Sequence, residues 1–221
     1  MPARLVVLAS GTGSTLQAVL DAAADPLFGG VVVAAGTDVR DCAAMDRARE
    51  RGVQTFAVAL ADHPNRAAWN DAVADAIAAH RPDLVVLAGF MRILAPSVVN
   101  RFRMINTHPS LLPEFPGAHA VADALKAGAT TTGVTVHWVD EGVDTGPVIA
   151  QTVVAAPAFN ASATACAPGN SGSSDGWVLI MRNRFTTDGA RIRMKPARTT
   201  RSGRCAAIAS ATASFQAARF G

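Results

Sequence analysis

The sequence predicts an α/β fold, a mostly parallel sheet with helices on both faces. Three observations carry that prediction. Short continuous apolar runs at residues 5–9, 31–35 and 84–88 read as strands covered on both sides. Segments of helical period separate them, as crossovers between parallel strands require. A glycine-rich turn, Ser10-Gly11-Thr12-Gly13-Ser14, joins the first run to a helix, and the polar clusters fall at strand ends, where such sheets bind ligands.

The elements follow in order. The helix after the turn places Leu16, Val19 and Leu20 on one face, and the strand at 31–35 follows it. A helix at 45–51 stops at Gly52, a good C-terminal signal, before a strand at 53–58. Residues 66–80 form an Ala-rich helix whose buried face carries Trp69, Val73 and Ile77. The strand at 84–88 is the most hydrophobic and is expected at the centre. A short helix at 95–101 has Pro96 in its first turn. A strand at 104–107 then runs into a Pro-rich loop at 108–117, and a helix at 121–127 is capped by Gly128. Residues 131–138 alternate and are β-branched, so they form a strand, with 147–154 as its hairpin partner across the loop 139–146.

Composition changes along the chain. Half of the 221 residues are apolar, so a sizeable core is possible, and no apolar run nears the roughly 20 residues of a membrane span. The net charge of +3 divides unevenly: residues 1–155 carry −4 and residues 156–221 carry +7. The reading is therefore one mildly acidic domain over 1–155 and a low-complexity basic tail over 156–221, expected to be disordered or poorly packed. Within that tail residues 191–204 read as turn-like. Phe185 and Phe215 lie among its arginines in no nucleic-acid motif, so no nucleic-acid partner is expected. The three cysteines, Cys42, Cys166 and Cys205, are scattered, which fits a reduced compartment. With no signal-peptide pattern at the start, a cytoplasmic protein is expected.

The chemistry concentrates in Asn106-Thr107-His108-Pro109-Ser110-Leu111-Leu112-Pro113 and in Asp144. Asn106 and His108 are two residues apart, so on a strand their side chains leave the same face. An amide donor beside an imidazole that can carry a proton suits the stabilisation of a carbonyl oxygen as it becomes an oxyanion. Asp144, packed beside His108, would raise the imidazole pKa and keep the ring cationic. The pattern suits acyl or formyl transfer. A duller role for His108 is a turn histidine bonded to backbone.

The turn at 11–15 lies between a strand and a helix N-terminus, where backbone N–H groups and the helix dipole favour a phosphate. It lacks the third glycine of a dinucleotide fingerprint and the lysine of a triphosphate loop, so a monophosphate fits best. The alternative is a tight turn with Ser14 and Thr15 capping the helix. Gly89-Phe90-Met91-Arg92-Ile93-Leu94 follows the central strand, and apolar residues interrupted by one arginine suit a flat, partly polar ring. It reads equally as a hydrophobic turn closing the core. His63 and His80 read as surface residues, His119 as a helix start and His137 as a satisfied core residue. Arg66 reads as a solvated cation at a helix start. No His or Cys spacing suits a metal, and none is expected.

Together these segments resemble the phosphoribosylglycinamide formyltransferases, the folate-dependent enzymes of purine synthesis. The resemblance spans about residues 5–150. It rests on Ala9-Ser10-Gly11-Thr12-Gly13-Ser14-Thr15-Leu16-Gln17, Val86-Leu87-Ala88-Gly89-Phe90-Met91-Arg92-Ile93-Leu94, the 106–113 segment and Asp144-Thr145-Gly146-Pro147-Val148-Ile149, with Phe115-Pro116-Gly117-Ala118-His119 in support. It implies a Rossmann-like formyltransferase fold and transfer of a formyl group from 10-formyltetrahydrofolate to the amine of glycinamide ribonucleotide. It also implies that Gly13, Ser14 and Thr15 hold the ribonucleotide phosphate. Met91, Arg92, Ile93 and Leu94, with the 140–144 loop, would receive the pterin, with Arg66 and Asn106 also on the folate. Asn106, His108 and Asp144 would be the catalytic trio.

Members of that family continue past the last strand with an acidic segment and a long helix that contributes a substrate-binding glutamate. Here no Glu occurs beyond Glu141, and the Arg-, Ser- and Ala-rich tail resembles an out-of-frame translation. Lowered stability and weaker ribonucleotide binding are expected of such a chain. The alternative functions are formyltetrahydrofolate hydrolysis, with water in place of the amine, and a folate-competent but inactive remnant. A methionyl-tRNA formyltransferase would bring a folded RNA-binding domain, whose pattern the tail lacks.

Overall fold

A computed structural model describes residues 1–155, 185–188 and 191–194. Seven strands form the main sheet: β1 (Ala3–Leu8), β2 (Gly30–Thr37), β3 (Gln54–Ala57), β4 (Leu84–Leu87), β5 (Met104–His108), β6 (Thr131–Trp138) and β7 (Val148–Ala155). Their order is β3-β2-β1-β4-β5-β6-β7, so β4 lies at the centre, as its continuous apolar sequence predicts. β1 to β5 pair in parallel, and β6 and β7 join antiparallel.

The crossovers are α1 (Ser14–Ala23), α2 (Ala43–Glu50), α3 (Arg66–Ala79) and the single turn α4 (Pro96–Val99), with α5 (Ala120–Lys126) leading into β6. Successive side chains of a strand point to opposite faces, and the core divides accordingly. Leu5 and Val7 of β1 and Leu84 and Val86 of β4 pack with Leu16, Val19 and Met45 of α1 and α2. Val6, Leu8, Val85 and Leu87 pack on the other face with Trp69, Val73 and Ile77 of α3 and Val98 of α4. The Trp69 indole N–H is satisfied within that core by Val58 O at 2.8 Å.

The strand order reverses between β1 and β4, and the crevice beyond the carboxyl ends of those strands is where open α/β sheets bind ligands. The turn after β1, the loop after β4 and the end of β5 all open there.

The turn-like reading of 191–204 needs a correction over residues 191–194. In place of turn-like chain, β8 (Phe185–Asp188) and β9 (Arg191–Met194) pair antiparallel, with Asp188 opposite Arg191. An Asp-Gly step between two short β-prone runs is a hairpin signal that the basic composition obscured. The expectation of disorder for the other residues of 156–221 lies outside the described residues.

Candidate active site

The cavity at the strand ends measures about 330 Å³, near the lower end of typical small-molecule sites. Asn106, His108, His137, Asp144 and the whole of the 89–94 loop line it. Gly13, Ser14, Thr15 and Arg66 do not. Met91 (62% exposed), Ile93 (60%) and Val143 (47%) ring it with uncovered apolar side chains. Such an exposed apolar rim around a few convergent polar groups is the character of a ligand site.

β5 brings Asn106 and His108 to one face, and the loop 139–147 brings Asp144 against them. Asn106 Nδ2 donates to Asp144 Oδ1 at 3.2 Å, and His108 Nδ1 faces Asp144 Oδ2 at 3.3 Å. The Gly117 N–H donates to the same Oδ2 at 2.8 Å. His108 Nε2 lies 2.8 Å from Phe115 O. A carbonyl and a carboxylate can only accept, so both ring nitrogens are placed to donate, and the imidazolium satisfies both. The duller role is thus also met: His108 is a turn histidine bonded to backbone, and it faces Asp144 as well.

The loop that carries Phe115 is held from inside the sheet. Thr135 Oγ1 donates to Ser110 O at 2.7 Å and accepts from the Leu112 N–H at 3.0 Å. Gln151 Nε2 donates to Leu112 O at 2.8 Å, and Ser110 Oγ to Glu114 O at 2.6 Å. On the other side, Asp140 accepts from Thr145 Oγ1 at 2.7 Å and closes the turn that presents Asp144. Asp144 itself has φ 55°, a left-handed conformation that Asp tolerates better than most residues.

His137 is the residue of the cluster that sequence reasoning left outside the site. β5 and β6 pair antiparallel with Asn106 directly opposite His137, and the β6–β7 register shifts at Val136/His137, a bulge of the kind that re-aims side chains beside active sites. His137 Nε2 lies 3.2 Å from Asn106 Nδ2 and 3.4 Å from Asp144 Oδ1, while Nδ1 faces Trp138 O at 2.8 Å. It is buried, as expected of a core residue, but as part of the polar cluster. These contacts hold the Asp144 carboxyl down at about 2 from an ordinary 3.8. The bond with His137 contributes most, burial opposes it, and the Gly117 N–H and the charges of His108 and His137 add to it.

The turn after β1 departs from the simple capping alternative. Gly13 is the N-cap of α1 with φ 75° and no side-chain cap, so Ser14 and Thr15 do not close the helix. First-turn N–H groups have no intrahelical acceptor, and here they remain available to an anion. A Cβ at Gly13 would lie 2.6 Å from Ala44 Cα, because α2 packs directly on the turn. From α2, Arg47 Nε donates to Thr12 O at 2.8 Å, a cation beside the turn that no local motif announced. Arg66 is exposed at the first position of α3, as expected, and also reaches the 89–94 loop. Its guanidinium donates to Ile93 O and lies 5.6 Å from the centre of the Trp69 ring, so it anchors the 89–94 loop.

Residues 3–166 match the formyl transferase family model. The chain belongs to the formyl transferase family. Within it, the chain is 60% identical over 152 residues to the phosphoribosylglycinamide formyltransferase of Mycobacterium tuberculosis, covering 68% of this chain and 70% of that protein. To the Escherichia coli protein of the same name it is 41% identical over 152 residues, 68% and 72% of the two chains. Among solved structures, glycinamide ribonucleotide transformylase 1 from Symbiobacterium toebii superposes with a TM-score of 0.72 at 35% identity, over 87% of this chain and 94% of that one. The seven-stranded, mostly parallel sheet agrees with the Rossmann-like formyltransferase fold expected from the motifs. Among the described residues, no group of three His, Cys, Asp or Glu could hold a metal ion, and no helix is long and apolar enough to cross a membrane.

Proposed function

We propose that this formyl transferase moves a formyl group from 10-formyltetrahydrofolate to the amine of glycinamide ribonucleotide, in purine biosynthesis. The observation that carries the reading is Asn106, His108 and Asp144 converging on one cavity with the exposed 89–94 loop. The first-turn N–H groups of α1, with Gly13, Ser14, Thr15 and Arg47, supply the phosphate end. The 89–94 and 140–144 loops, with Arg66 and Asn106, supply the folate end. Hydrolysis by water would have no use for the phosphate turn.

The substrate amine attacks the formyl carbon, and the carbonyl oxygen becomes an oxyanion. Asn106 donates to that oxygen, and the His108 imidazolium, whose two N–H groups are held by Asp144 and Phe115 O, stabilises it by its charge. Asn106 Nδ2 lies 3.2 Å both from Asp144 Oδ1, to which it donates, and from His137 Nε2. These are long contacts, so exchanging one for a stronger acceptor costs little. The intermediate then collapses: the bond from carbon to the folate nitrogen breaks, and the proton leaving the attacking amine passes to that nitrogen. Asp144, ionised at neutral pH, keeps the imidazolium in place and relays the proton.

The cysteine usage and the absence of a membrane-crossing helix among the described residues support a cytoplasmic location. A formyl-transfer assay that follows tetrahydrofolate release tests the reading. His108→Ala and Asp144→Ala should each lower turnover by about 10²–10³, the usual loss for one oxyanion-stabilising donor, with unchanged far-UV circular dichroism. Wild-type rates in either variant would remove the assigned roles.

A further inference from the structure

Asp38 follows β2 and does not line the cavity, yet its side chain is only 1% exposed. Its two oxygens reach the loops on either side of the crevice. Oδ2 accepts from Arg92 Nε at 2.7 Å. Oδ1 accepts a short hydrogen bond from Ser10 Oγ. The same hydroxyl accepts from the Met91 N–H at 2.9 Å, and the Ser10 N–H donates to Gly89 O at 3.1 Å.

We propose that Asp38 is a positioning residue for the formyl donor, latching the 89–92 half of the donor loop to the end of β1 through Arg92 and Ser10. This rests on the formyl-transfer reading. The argument is one of anchorage. Phe90 and Leu94 pack against the core, but Met91 and Ile93 expose most of their side chains, so apolar packing does not fix the stretch between them. Polar tethers must, and those of the 93–95 half come from α3: Arg66 on Ile93 O and Asn70 Oδ1 on the Ala95 N–H. The 89–92 half is tied to Ser10 and Asp38. A buried carboxylate is stable only where its charge is met, so Asp38 holds the guanidinium in one place and orients the Ser10 hydroxyl that receives the Met91 N–H. Arg92 is 42% exposed along its side chain, so water can solvate it if the tie is cut. Cutting the tie therefore loosens the loop without stranding a buried charge.

Asp38→Asn keeps the shape and removes the charge. In the full chain it should raise KM for 10-formyltetrahydrofolate roughly ten- to hundredfold, the loss expected for a charge-assisted bond. Turnover at saturating donor and KM for glycinamide ribonucleotide should stay within about twofold, since binding rather than the transition state is affected. Arg92→Gln weakens donor binding by itself, and adding Asp38→Asn to it should add little, because the asparagine oxygen still accepts from Ser10 and the lost charge acts through that guanidinium. Unchanged donor KM in Asp38→Asn, or additive effects in the double variant, would overturn the proposal. So would parallel losses of turnover and both affinities with a lowered Tm, which would mark a purely structural role. Calorimetry with a folate analogue separates the two levels. A wild-type chain that neither binds the analogue nor transfers formyl refutes the functional reading and this inference together. Wild-type transfer with an unaltered Asp38→Asn refutes this inference alone.

Discussion

Asp144 accepts from Asn106 and from the Gly117 N–H, and it faces the rings of His108 and His137. Removing His137 should therefore act through Asp144 more than through packing. In His137→Phe, which fills similar volume, turnover should fall roughly tenfold or more, the size of a lost charge-assisted bond. The acid limb of the pH–rate profile should move upward, because the contact that contributes most to the low Asp144 pKa is gone. A ring that only filled space would leave both unchanged. Asn106 and His108 were legible in the sequence, since residues two apart on a strand share a face. His137 was not. Its place opposite Asn106 is set by the antiparallel β5–β6 register, across a separation of 31 residues.

At the scale of elements, the site depends on how loops leave the sheet. A Cβ at Gly146 would sit 1.8 Å from Trp138 O, because the loop 139–147 closes against the end of β6. Gly146→Ala should lower stability by about 1–3 kcal/mol through overpacking. It should also reduce turnover by displacing Asp144, and thermal unfolding together with the transfer assay checks both. On the opposite face, α3 owes its position to Trp69, fully buried and bonded to Val58 O. Trp69→Ala should cost about 3–5 kcal/mol, read by denaturant titration. The helical spacing of Trp69, Val73 and Ile77 made that face predictable. The proximity of Arg66 to Ile93 was not, because it requires α3 to pack beside the end of β4.

The whole molecule carries a pH signature from the same carboxylate. The Asp144 carboxyl sits at about 2 when folded, against an ordinary 3.8. Its contribution, about 2 kcal/mol by linkage, is fully present above the ordinary value and is lost as pH falls from about 4 to 2. Chemical denaturation across that range should show the decline, and Asp144→Asn should flatten it. Sequence alone settled the α/β class, the order of the elements and the central place of β4, because period, glycine turns and apolar runs are local properties. The tertiary structure decided which distant groups meet: His137 with Asp144, Arg47 with the turn after β1, Asp38 with Arg92. Those meetings depend on strand order and register, which arise only when the two apolar faces of the sheet are buried together.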